Sequence, residues 1–129
     1  MLLKELAKEY EFDCRVRELS ERTVKNYQKQ VSYFLDYVEE QHSVRELEQV
    51  SPAHIKGFIS SYQLKGNKPS YINDLLKAVK CLFAYAYREE YTPKLLTERI
   101  KNVKEPKVLI HTFSEQEIAD LIHYFKGMD

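Results

Sequence analysis

Glycine and proline are scarce: the chain has three and four of them in 129 residues. An all-β protein needs many tight turns, and so few turn formers argue against one. Tryptophan is absent, and cysteine occurs only as Cys14 and Cys81, far apart and without CxxC or Cys/His spacing. That pattern fits free thiols in a reducing cytoplasm rather than a disulfide framework. No run approaches the ~20 apolar residues of a membrane span, and no signal peptide follows Met1. Charge of one sign is missing too, since 20 basic and 20 acidic residues cancel. Any attraction for a polyanion must therefore come from how charge is distributed.

Recognisable catalytic patterns are equally lacking. His42, His54, His111 and His123 are scattered, with no HExxH and no metal-ligand spacing. Three glycines cannot build a phosphate-cradling loop, and there is no GxSxG elbow. Ten tyrosines are present, but none stands in a setting that would activate it as a nucleophile. Tyr27, Tyr62 and Tyr87 sit on or beside apolar stripes, which predicts packing with the hydroxyl at the rim. The expectation is a chain that is not itself an enzyme and needs no metal or cofactor.

What is present is amphipathic helix. Hydrophobic residues make up 43% and charged residues 31%, the profile of one all-α globular domain. Leu2, Leu3, Leu6 and Tyr10 predict a short lead-in helix, and residues 12–19, with no clean period, predict an irregular or weakly helical connection. Ser20 is set to cap a helix whose Val24, Tyr27, Val31, Phe34 and Val38 form a core stripe ending near Gln41. Ser51-Pro52 opens a third helix, with Ile55, Phe58, Ile59 and Tyr62 inward, running to about Gln63. Residues 64–69 (LKGNKP) read as a loop, after which Ser70 is expected to cap a long helix. Thr92-Pro93 repeats the cap-then-proline device and predicts a short helix with Leu95, Leu96 and Ile100 apolar. Residues 101–107 (KNVKEPK) read as a linker. A capping box at Ser114 and Glu117 then introduces a last helix with Ile118, Leu121, Ile122 and Phe125 inward and Gly127 at its C-cap. That final helix has no partner downstream and suggests the start of a second domain.

The helix over residues 70–90 carries two stripes. Ile72, Leu75, Leu76, Val79, Leu82, Phe83 and Ala86 form the apolar one. Asn73, Lys77, Lys80, Ala84 and Arg88 form the other, centred roughly 120° away. From His54 to Arg88, six basic residues face one acid, Asp74, for a net +5, while acids gather in residues 36–48 and in the first 21. A neutral chain with a polarised middle fits an electrostatic footprint on one face, as a nucleic-acid binder would have. Lys77, Lys80, Arg88, Lys65 and Lys68 are the candidates for phosphate, with Lys65 and Lys68 in a loop ahead of a helix N-terminus. Arg22, Lys25 and Lys29, on the outer side of the Ser20 helix, are further candidates for the same role or for a solvated face. Asn73 is the candidate for a base edge.

The pattern LSxRTxxxYxxxxxxFLxY at Leu19, Ser20, Arg22, Thr23, Tyr27, Phe34, Leu35 and Tyr37 resembles the N-terminal core-binding domain of tyrosine recombinases, the phage-integrase family. The order of helices, the basic helix, the lysine-proline linker and the segment TFSEQEI at residues 112–118 extend the resemblance across nearly the whole chain. Phe113 and Ser114 stand where the family's second domain opens with Leu and Thr. The resemblance implies a four-helix, orthogonal DNA-binding bundle over residues 1–105, with residues 106–129 as linker and first helix of a catalytic domain. It implies double-stranded DNA, the chain's own catalytic domain and other recombinase protomers as partners, with no membrane. The family's catalytic arginines, lysine, histidines and tyrosine belong to the second domain and have no counterpart in this sequence, so the parent protein would cut and rejoin DNA through a phosphotyrosine. The alternative is a helical protein-interaction module whose basic face is solvated or docks on an acidic partner.

Overall fold

The computed structural model describes residues 1–105; the expected capping box at Ser114, the last helix and the second part of the linker lie outside them. Four α-helices make up the fold of the described residues: α1 (Leu3–Val16), α2 (Glu21–His42), α3 (Pro52–Leu64) and α4 (Pro69–Arg88), with one 3-10 turn at Leu47–Gln49. No strand occurs among the described residues, and a lone antiparallel bridge joins Leu2 to Glu46. The all-α, four-helix expectation holds.

Helices α2 and α4 form the centre of the bundle, each touching the other three helices. Leu75, Leu76, Val79, Leu82 and Phe83 of α4 meet Leu6, Tyr10, Phe34 and Phe58 in one core. Phe34 stands edge-on to both Phe58 and Phe83, with centroids 5.3 and 5.8 Å away, so a single ring ties α2 to α3 and α4. Edge-to-face pairs of this kind add about 0.5–1.5 kcal/mol to the burial of their surface. Tyr10 brings its hydroxyl to the thiols of both Cys14 and Cys81, two cysteines the sequence leaves unrelated; burial pushes that hydroxyl's pKa up.

Three local expectations need correction. Of the irregular or weakly helical connection expected over residues 12–19, the part to Val16 is regular helix, continuous with α1. Ala7 and Cys14 continue the buried row of Leu3, Leu6 and Tyr10, whereas Phe12 and Val16, which blur the period, are 70% and 62% exposed. Ser70 does not cap α4: Lys68 does, with Pro69 as the first helical residue. Proline forces the preceding residue into extended backbone, as Lys68 shows at φ −70°, ψ 145°, and is itself ready for the helix, so the boundary falls one residue earlier. Thr92-Pro93 opens no helix. The Thr92 hydroxyl donates to the carbonyl of Lys94 instead of accepting from the next turn. Beyond Pro93 the chain makes isolated i to i+3 turns, Glu98 to Leu95 and Ile100 to Thr97.

The other caps behave as the sequence indicates. Ser20 Oγ accepts from the Thr23 amide at 3.1 Å. At Ser51 it is the amide that is capped, donating to His54 Nδ1 at 3.0 Å.

Candidate nucleic-acid interface

Helix α4 buries nine residues, adding Ala78 and Tyr85 to the seven of the apolar stripe. They cover about half of the cylinder at ~100° per residue. The polar stripe therefore lies roughly opposite the core, further round than a count of strongly apolar residues suggests. Lys77, Ala84 and Arg88 are exposed, and Asn73 and Lys80 are half-buried. The stripe runs along a helix of 20 residues, about 30 Å of surface.

Two open grooves flank it. One, of about 500 Å³, is lined by Asn73, Asp74, Lys77, Lys80, Cys81, Ala84 and, from the segment after the bundle, Asn102. The other, of about 260 Å³, lies where α4 meets α1 and the start of α2, and is lined by Cys81, Ala84, Tyr85, Arg88, Tyr10, Arg17, Leu19, Thr23 and Tyr27. Cys81 and Ala84 belong to both, so the grooves meet across the helix at its smallest outward side chain. A small residue at that point lets another molecule approach the α4 backbone closely, with cations on either side.

The candidate cations differ in their surroundings. Lys77 and Lys80 take part in no ion pair among the described residues, and Lys80 Nζ lies 3.5 Å from Asn102 Oδ1. Arg88 is less free: its Nη2 is 3.3 Å from Asp13 Oδ2, and its guanidinium stacks over Tyr85 at 5.4 Å. Asp13 also holds Arg17 at 3.0 Å. Lys65, at the C-cap of α3, lies over the Tyr62 ring at 4.7 Å, and Lys68 is the N-cap of α4. Arg22, Lys25 and Lys29 are exposed on the side of α2 turned away from its buried Val24, Val31, Phe34 and Val38, and line neither groove. The structure thus gathers Asn73, Lys77, Lys80 and Arg88 along one helix, while the three α2 cations lie on the outer side of α2 and line neither groove.

Asn73 has partners that its place in the stripe does not foretell. Its Nδ2 donates to the Val103 carbonyl at 2.9 Å and its Oδ1 accepts from the Val103 amide at 2.7 Å. The same Nδ2 lies 3.1 Å from Glu105 Oε2. A side chain named for a base edge is therefore engaged with the chain's own exit segment. Arg17 and Asn102 border the grooves and were not singled out by the sequence; each depends on contacts between distant segments, which no local period records.

Residues 8–90 match the family described as phage integrase, N-terminal SAM-like domain. The chain belongs to that family. It is similar to the tyrosine recombinase XerD of Haemophilus influenzae, 29% identical over 105 residues, which cover 81% of this chain and 35% of the relative. The XerD of Pasteurella multocida is 25% identical over 107 residues, covering 83% and 35%. The chain spans about a third of the length of the curated relatives it matches. No solved structure matches at the same level of significance. The integrase-domain match begins within α1 and ends just past α4, so it includes the basic stripe and both caps of the α4 helix but not Val103.

Proposed function

We propose that this integrase-type domain binds double-stranded DNA at the core site of a site-specific tyrosine recombinase. The observation that carries the proposal is the outward row of Lys77, Lys80 and Arg88 around the small Ala84, opposite the buried side of α4. Lysines at that spacing can meet successive phosphates, and each phosphate neutralised releases counterions, which makes affinity fall with salt. Lys65 and Lys68 would extend the row past the N-terminal end of α4, where the helix dipole also favours an anion. Membership of the integrase family supports the same reading, as does similarity to proteins named as tyrosine recombinases.

On this proposal the domain positions DNA and the chemistry belongs elsewhere in the parent protein. The parent would carry a catalytic domain, work with other protomers on DNA, and cut and rejoin strands through a tyrosine nucleophile in the cytoplasm. Residues 106–129 would begin the passage into that second domain.

The test is a titration of the chain with short duplexes across a salt series. Lys77→Ala and Lys80→Ala should weaken binding to all sequences alike, and each should flatten the plot of log affinity against log salt by about one unit. Unchanged slopes in both variants would remove α4 from the interface.

A further inference from the structure

The bond pair between Asn73 and Val103 joins residues 30 positions apart and closes both of the valine's main-chain groups onto one side chain. A primary carboxamide has a donor and an acceptor in one plane, so it can take up an exposed peptide unit as a neighbouring strand would. Asp lacks the donor, Ala lacks both, and Lys or Arg lacks the acceptor. Upstream the segment is anchored by Ile100, which is 7% exposed, and at Asn102 it reaches Lys80. Residues 101–105 have no regular secondary structure, yet Asn102, Val103 and Glu105 reach Lys80 and Asn73 on α4, and Asn102 lines the larger groove. Lys101 and Lys104 on this segment are both exposed, and Glu105, next to Lys104 in the chain, lies within reach of Asn73.

We propose that Asn73 is a positioning residue that clasps the exit segment to α4, so that Lys101 and Lys104 extend the phosphate-facing surface of Lys77 and Lys80. The inference rests on the DNA-binding reading above and changes one part of it: Asn73 acts on DNA through the segment it holds, not by reading a base. It also gives the chain a defined direction on leaving the bundle, set from within the bundle by a single side chain.

Asn73→Ala and Asn73→Asp in the 129-residue chain test the clasp, with amide exchange and duplex binding measured on the same samples. In Asn73→Ala the Val103 amide loses its acceptor and should exchange about tenfold or more faster, while amides in the middle of α4 keep their protection; Asn73→Asp, which keeps that acceptor and loses only the donor, should change it less. Binding should weaken about three- to tenfold at low salt, by the same factor for duplexes of different sequence. Replacing both Lys101 and Lys104 with Ala should weaken wild-type binding and cost far less in the Asn73→Ala background, because the two changes remove one surface.

An altered sequence preference with Val103 exchange unchanged would overturn the clasp and restore Asn73 as a base reader. Faster Val103 exchange with no effect of the lysine pair in wild type would overturn the extended surface. If wild type binds no duplex at low salt, the DNA reading and the extended surface fall together, while Val103 protection separately decides the clasp.

Discussion

The hydroxyl of Tyr37 lies 2.6 Å from where a β-carbon on Gly57 would stand, so any side chain at position 57 requires Tyr37 to shift. A shift of Tyr37 disturbs its packing on Phe58 at 5.5 Å and on His42 at 5.4 Å, and the contact of its hydroxyl with His42 Nε2 at 3.2 Å. Glycine inside a helix costs about 1 kcal/mol relative to alanine. Gly57→Ala should therefore destabilise the wild type through the clash. In a Tyr37→Phe background the same change meets only the ring carbon, 3.7 Å away, and should stabilise by about 0.5–1 kcal/mol. Urea midpoints of the four proteins decide it; the same sign in both backgrounds would show that the hydroxyl is not what excludes a side chain.

A second prediction concerns pH. Burial, and then the neighbouring His42 with its ring 4.8 Å away, hold the His54 pKa below its ordinary value. His54 Nδ1 accepts from the Ser51 amide, which only the neutral ring can do. The unfolded chain therefore takes up this proton at a higher pH than the folded chain. The contribution of His54 is complete above pH ~6.5 and is lost as pH falls below that value. Thermal midpoints should drop between about pH 7 and pH 5.5, ahead of the carboxylate range, and His54→Gln should flatten that part of the curve. Parallel curves for the two proteins would exclude His54 as the cause.

Helices α1 and α4 end alike, on a glutamate in the left-handed region: Glu18 at φ 59° and Glu90 at φ 63°. Each closes a Schellman motif, with Glu18 donating to Arg15 and Leu19 to Cys14, and Glu90 donating to Tyr87 and Tyr91 to Ala86. Glycine is the usual residue there, since a β-carbon is strained in that conformation and a negative charge at a helix C-terminus opposes the dipole. Glu18→Gly and Glu90→Gly should each stabilise by about 0.5–1 kcal/mol, read as an upward shift in melting temperature. A loss of stability at either position would mean that the glutamate makes a compensating contact.

These ends show why parts of the fold were legible and others were not. The Val24 to Val38 row, Ser20 and Ser51-Pro52 are written in local spacing and capping chemistry, and they place α2 and α3 correctly. The end of α1 was hidden because a glutamate fills the place of the expected glycine and because exposed Phe12 and Val16 imitate core residues. Thr92-Pro93 has the local signature of a helix start, but Thr92 is buried and spends its hydroxyl on the carbonyl of Lys94. At the candidate interface the α4 stripe was readable, since one helix carries it. The partners of Asn73 and Arg88 were not, because they lie 30 and 75 residues away.

That last contact supplies a prediction opposite in sign to the lysine substitutions. Asp13 faces two arginines, Arg17 and Arg88, both of which line the groove between α1, α2 and α4, and it is the carboxylate paired with the arginine of the stripe. If a phosphate approaches Arg88 there, it competes with this carboxylate and is repelled by it. Asp13→Asn keeps the shape of the side chain and removes the charge, so duplex affinity at low salt should rise severalfold and the salt dependence should steepen, with a small loss of stability. Asp13→Asn combined with Arg88→Ala should lose the gain, because the arginine is the group set free. Affinity unchanged by Asp13→Asn would place the duplex away from this groove and confine contact to Lys77, Lys80 and the loop carrying Lys65 and Lys68.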